Sequence, residues 1–294
     1  MAEITAASVK SLRDKTGLPM MECKQALKEN DGDEQKAIDW LREQGKKVMG
    51  KRQDRETACG RMATYTDFDK PVATMIELQC ESAPVASHEE FVQLAKDLAE
   101  QLATGPGAKT PEDLLSQPSP SKKGQTLNDQ WEDLTNRIRE VFRLARMERF
   151  EAACGGYAHH TGTDGVLVEV EGGNQQLANE VAMQVAAMRP EVVAVEDLDK
   201  AVVDKEREIL SAAARQEGKP ENIIDKMVEG RLRNFYAERV LNEQPFVKDD
   251  KQTVGKVAKG AGMKILKFTH WKLGQGAYPP ERPKREQSSH ERRR

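Results

Sequence analysis

Twice in this chain an alternating run of apolar residues gives way, within a few positions, to apolar residues spaced three and four apart. In "VATMIELQC" Val72, Thr74, Ile76, Leu78 and Cys80 share one face; Phe91, Leu94, Ala95, Leu98 and Leu102 then recur at helical steps as far as "GPG". In "TDGVLVEVEGG" Val166, Val168 and Val170 share a face, and "LANEVAMQVAAM" follows, stopping before Pro190. A period of two marks a strand and a period near 3.6 a helix. A strand followed by a covering helix therefore occurs twice, and the expected class is α+β with two related core subdomains built on small antiparallel sheets. "RMATYTD" and a turn at Phe68 to Pro71 make the first strand one arm of a hairpin with one buried side.

Other segments lie around this frame. Ile4 and Val9 bracket an N-cap at Thr5, Gly17 stops the helix that follows, Pro19 opens a second, and Asp33 caps a third with Gly45 beyond its end. Residues 5 to 45 read as a compact three-helix domain and "KKVMGKRQDRE" as a linker, with helical continuation as the alternative. "QPSPSKKGQ" is a surface loop, and "NDQWEDLTNRIREVFRLARMERF" predicts one long amphipathic helix with Trp131, Leu134, Ile138, Phe142 and Leu144 or Ala145 inward. Between residues 199 and 237, stripes at Val202, Ile209, Ala213 and at Ile224, Val228, Leu232, Phe235 flank "GKP" and predict an antiparallel helical hairpin with a coiled-coil-like seam. "MKILKFTHWKL" returns as a final strand. The expected division is residues 1–55 three-helix domain and linker, 56–148 the first core subdomain, 149–198 with 238–276 the second, 199–237 the hairpin inserted in it, and 277–294 a basic disordered tail.

Composition narrows the function classes. Apolar residues make up 37% and charged residues 32%, which suits helices with wide solvated faces. The net charge of −3 excludes wholesale nucleic-acid binding, although the last fourteen residues carry six basic and three acidic groups and predict at most a weak RNA contact. No window approaches about 18 apolar residues and the N-terminus lacks a signal-length apolar core, so no membrane partner is expected. Four dispersed cysteines, Cys23, Cys59, Cys80 and Cys154, have no zinc spacing and point to a reducing, cytoplasmic compartment without metal or disulfides.

"ELQCESAPVASHEEF" sets Cys80, Ser82 and His88 close together, and a cysteine hydrolase is one reading of it. Cys80, however, is in phase with Ile76 and Leu78 and points inward, so it reads as a small core residue. His88 reads as a helix-start residue. His159 and His160 are adjacent in a strand, on opposite sides, and cannot share one metal. No Walker A sequence or dinucleotide fingerprint occurs, so neither a cofactor nor direct nucleotide binding is expected. Met20 and Met21, side by side on a helix, cannot both face one core, and an exposed methionine suits an adaptable partner surface.

Residues 9 to 45, "VKSLRDKTGLPMMECKQALKENDGDEQKAIDWLREQG", and 218 to 257, "GKPENIIDKMVEGRLRNFYAERVLNEQPFVKDDKQTVGKV", resemble bacterial translation elongation factor Ts. "VAMQVAAMRPE" does so too, and the likeness extends to about residue 275. The resemblance implies a ubiquitin-associated-like N-terminal domain, a bipartite core and a coiled-coil insertion. It implies a non-enzymatic exchange factor that promotes GDP and magnesium release from elongation factor Tu, in its GDP-bound and nucleotide-free forms. Contacts to that partner are implied at Arg13, Met20 and Met21 and at Met183, Gln184, Val185, Ala186 and Ala187, where a glutamine replaces the family's histidine. Family members carry Thr-Asp-Phe-Val after the strand cysteine, the Asp-Phe pair disturbing the partner's magnesium site. Here Ser82, Ala83, Pro84 and Val85 occupy that place, and the acid and the ring are both missing. A protein that binds elongation factor Tu with weak exchange activity is the second expectation. "TDF" at Thr66 to Phe68 lies before the strand and is coincidental.

Overall fold

The computed structural model describes residues 4–275; the basic tail lies outside them. Local chemistry starts each helix of the N-terminal unit. Thr5 accepts from Ser8 N at 3.1 Å to open α1 (Ala6–Thr16), Gly17 closes it in the left-handed conformation, and α2 (Met20–Glu29) follows Pro19. Asp33 accepts from Lys36 N at 3.0 Å to open α3 (Glu34–Gly50). Val9, Leu12, Leu18, Cys23, Ala26, Leu27, Ala37 and Leu41 form the core between them.

In the first core half, β1 (Cys59–Asp67) pairs antiparallel with β2 (Val72–Cys80), with Cys59 opposite Cys80. A one-turn helix α4 (Ala83–Ala86) and the long α5 (Glu89–Thr104) follow, then α6 (Pro111–Leu115) and α7 (Leu127–Ile138). The chain next forms β3 (Arg143–Phe150), which pairs with the other edge of β2. This corrects the expected long helix of residues 128 to 150. Arg139 stops α7 with φ 64°, and a buried central strand must satisfy the hydrogen-bonding groups of both its edges. A bulge at Glu77/Leu78 skips Ala145, so Leu144 and Met147 both reach the core despite their odd spacing. Phe142 still packs inward, edge-on to Phe91 at 4.9 Å and to Trp131 at 5.7 Å.

The first part of the linker is helical, as far as Gly50. Helix α3 continues through Gly45 because that position is a close approach: a Cβ there would lie 1.8 Å from Asn136 Oδ1 on α7. Lys46–Glu132 at 2.9 Å and Arg139–Glu22 at 2.6 Å add ion pairs across the same junction.

The second half repeats the plan. β4 (Cys154–Ala158) pairs with β5 (Asp164–Gly172), which leads directly into α8 (Gln175–Met188). The helical hairpin α9 (Lys200–Gln216) and α10 (Glu221–Arg239) follows, then the small β6 (Pro245–Phe246) and β7 (Asp249–Thr253), α11 (Val254–Gly260) and β8 (Met263–Lys272). β8 pairs with β5, giving the order β4-β5-β8 beside β1-β2-β3. Helix α8 covers Val166, Val168 and Val170, while Leu167 faces Ala73 and Met75 of the first sheet. The layers therefore run α5, first sheet, second sheet, α8. β2 is buried at all nine positions, against the expectation of one buried side, because α5 covers one face and the second sheet the other. Between the sheets Arg146 Nε donates to Glu77 Oε2 at 2.5 Å and its Nη2 to Lys272 O at 2.8 Å.

In the hairpin the seam is Ala214, Ile224, Val228 and Leu232, with Leu210, Phe235 and Tyr236 beside it. The stripe expected on α9 is one residue out of phase: Val202 and Ile209 are exposed. Helix α9 is apolar at 202, 209, 213 and again at 203, 210, 214, so periodicity does not choose between the faces. The returning helix does, with Arg207 pairing Glu229 across the hairpin.

Candidate functional site

β2 delivers Cys80 to the corner where the chain leaves the sheet. Its thiol is fully buried and donates to Ser82 O at 3.3 Å, and burial, with the carboxylate of Glu140 nearby, pushes its pKa up to about 12. His88 caps α5, its Nδ1 accepting from Glu90 N at 3.3 Å. The two do not form a nucleophile and base, and the hydrolase reading falls.

Two acids hold the corner instead. Glu140 accepts from Glu81 N at 3.1 Å and Ser82 N at 3.0 Å through one carboxylate oxygen, and from Ser82 Oγ at 2.5 Å through the other. Glu81 answers by accepting from Val141 N at 2.8 Å and from Arg55 Nη1 at 3.0 Å. At the far end of the turn Arg61 Nη1 donates to Ala86 O at 2.8 Å. Val85 packs on the core and Ala86 is buried, which leaves Ala83 and Pro84 as the exposed crest of α4.

Neighbouring surface comes from the second half. Met62 N donates to Gly162 O at 2.8 Å, fastening loop 159–163 beside β1. β4 ends at Ala158, so His159 and His160 lie in this turn with ring centroids 4.2 Å apart, correcting their placement on opposite faces of a strand. Among the described residues no three His, Cys, Asp or Glu gather as ligands. Asp164, next along, lies near Arg189 at the end of α8. Burial pushes its carboxyl pKa up, but hydrogen bonds from Thr163 at 2.8 Å and His270 at 3.1 Å outweigh this and hold it below the ordinary value.

Among the residues expected on α8, Ala187 is exposed and Met183 and Ala186 are half-buried, with exposed Met188 just beyond. Gln184 and Val185 are fully buried. Gln184 donates to Gln244 Oε1 and Pro245 O, both at 3.1 Å, and accepts from Val247 N at 2.8 Å, so its amide ties α8 to the β6 segment. On the N-terminal unit Arg13 is exposed, and Met20 and Met21 are 48% and 74% exposed. Glu22, the next residue, pairs with Arg139, which stands beside Glu140. Thr66, Asp67 and Phe68 have a structural part: Asp67 accepts from the amides of Asp69 and Lys70, and Phe68 packs on the second core.

Arg61, Arg139 and Glu140 are the residues the sequence reading missed. Glu140 was assigned to the middle of a helix; the local signal for its true place is slight, because an arginine rather than a glycine takes the left-handed stop.

The crest at Ala83 and Pro84 is small, and methionines stand exposed on two other elements, α2 and α8; such side chains suit an adaptable contact. Residues 81–275 match the family model described as Elongation factor TS. The chain is similar to the proteins named Elongation factor Ts of Thioalkalivibrio sulfidiphilus, Alkalilimnicola ehrlichii and Thermobifida fusca, being 39%, 40% and 41% identical to them. The matches cover 93%, 93% and 94% of this chain and 93%, 93% and 100% of those relatives.

Proposed function

The chain belongs to the elongation factor Ts family, and from that premise we propose how its surface does the family's work. It is a nucleotide exchange factor for elongation factor Tu in translation elongation; the observation that carries this is about 40% identity over 93% of the chain. The second expectation, a binding protein with weak exchange, is not favoured by relatives that all bear the one name.

The finer reading concerns how exchange is achieved. The factor binds elongation factor Tu with GDP, promotes loss of GDP and magnesium, holds the nucleotide-free form, and leaves when GTP enters. It performs no bond-breaking chemistry and holds no nucleotide itself. By linkage, a factor that prefers the nucleotide-free partner weakens GDP binding by the same factor by which GDP weakens its own. The turn Ser82–Val85 presses on the partner's magnesium region through Ala83 and Pro84. A buried phenylalanine contributes about 1.5–3 kcal/mol, so its loss removes one contributor to a large interface, while the fixed φ of Pro84 keeps the crest stiff. Arg13, Met20 and Met21 form a second contact, and Met183, Ala186 and Ala187 a third. Residues 1–55 act as a ubiquitin-associated-like domain with its linker, 56–148 and 149–198 with 238–276 as the two core subdomains, and 199–237 as a coiled-coil insertion. The factor works in the cytoplasm, and residues 277–294 make at most a weak RNA contact.

Release of a fluorescent GDP from the cognate elongation factor Tu, followed by stopped flow, tests this. Acceleration that saturates with factor concentration is expected; no acceleration at micromolar factor would overturn it.

A further inference from the structure

We propose that Glu140 is a positioning residue for exchange, holding the Ser82–Ala86 turn stiff enough to deform the partner rather than be deformed by it; this rests on the exchange reading above.

Helix α4 has only four residues. So short a helix has no stability of its own, and its shape must come from anchors elsewhere. Ser82 stands at its N-cap, where a serine hydroxyl ordinarily accepts from the first turn. Here it makes no such bond and turns to Glu140 instead. The amides of Glu81 and Ser82 converge on the same carboxylate, so one side chain collects three donors at the exit of β2. Hydrogen bonds to a charged acceptor are about twice as strong as neutral ones.

Glu140 is itself held from both sides. Arg139 O accepts from Arg52 Nη1 at 2.7 Å and the Arg139 guanidinium pairs with Glu22. Val141 N donates to Glu81. Two neighbouring residues, 139 and 140, thus connect the helix that carries Met20 and Met21 to the turn that carries Pro84.

The crest has no acid and no ring to place in a partner, so its effect lies in where the backbone stands. A soft turn would let the complex form and then yield; a fixed one raises the cost of keeping GDP and magnesium bound. Removing Glu140 therefore lowers the GDP-release rate at saturating factor and leaves the half-saturating concentration nearly unchanged.

The test compares wild type, Glu140→Ala and Glu140→Gln in stopped-flow GDP release across factor concentration, with thermal melts of each. Expected for Glu140→Ala is a plateau about tenfold lower and a half-saturation within about threefold of wild type. Glu140→Gln, whose carbonyl still accepts from both amides, stays within about threefold of wild type in plateau. A raised half-saturation with an unchanged plateau would overturn the proposal and leave Glu140 a purely structural residue. Should Glu140→Ala fail to fold, Ser82→Ala decides: a lowered plateau supports the proposal and an unchanged one overturns it. Failure of the wild type itself to accelerate release defeats the exchange reading, and the proposal with it.

Discussion

The two halves of the core join a central strand to its covering helix in different ways. In the second half β5 reaches α8 through Gly173 and Asn174, and Asn174 accepts from Leu177 N at 2.9 Å to start the helix at once. In the first half β2 reaches α5 through Glu81–His88, a stretch that folds into its own helical turn, held at one end by Glu140 and at the other by Arg61. Packing differs too: α5 inserts Phe91, Leu94, Leu98 and Leu102, whereas α8 inserts the smaller set Leu177, Val181 and Val185 and brings the backbone of Ala178 against Gly155. One frame is thus used twice, once with a direct exit into its covering helix and once with an added turn between them.

The largest expected effect tests the dependence of the first half on bulk. Phe91→Ala should cost about 3–5 kcal/mol in denaturant unfolding followed by far-UV circular dichroism. A loss under about 1 kcal/mol would mean that α5 closes over the space and the contrast with α8 is false.

A smaller effect tests the close approach in the second half. At Gly155 a Cβ would lie 2.0 Å from Ala178 O, a backbone atom that moves only with α8. Gly155→Ala should therefore cost about 1–3 kcal/mol by the same measurement. A neutral result would show that α8 slides freely on its sheet.

The smallest effect is electrostatic and sharpens the view of the end the halves share. Asp164 is held below its ordinary pKa in the folded chain, so its contribution is present above the unfolded pKa, near 4, and is lost as pH falls through the folded value. Stability should drop by about 1 kcal/mol or less from this group as pH falls from about 5 to 2, and Asp164→Asn should remove that part of the acid dependence. Parallel acid profiles for the two proteins would refute it.

Much of the frame was legible because it rests on local signals. Thr5, Gly17 and Asp33 terminate helices where their side chains or backbones dictate, and the change of period at residue 80 and again at 172 marks both strand-to-helix exits. What failed was decided by partners distant in sequence. "RLARMERF" suits a helix or a strand, and the free edge of β2 selects the strand. Gly45 reads as a stop until Asn136 stands against it. The faces of α9 are equally apolar until α10 returns. At the surface, pattern required that one of Met20 and Met21 be exposed, and the structure exposes both. The burial of Gln184 was not legible, since its partners Gln244, Pro245 and Val247 arrive some sixty residues later. The grip of Glu140 was invisible for the same reason.

The complete burial of β2 has a mechanical consequence. Pro84 stands just past the end of a strand that is hydrogen-bonded along both edges and covered on both faces. A load on the crest is carried down the strand axis into the first sheet, where relief would require breaking the bonds to β1 and β3 together. The N-terminal unit joins the first half through the close approach of Gly45 to Asn136 and through ion pairs that stay partly in water, such as Lys46–Glu132 and Arg139–Glu22, each worth about 0–1 kcal/mol. Under force the exposed ion pairs of that junction give way before the ladder of β2 does.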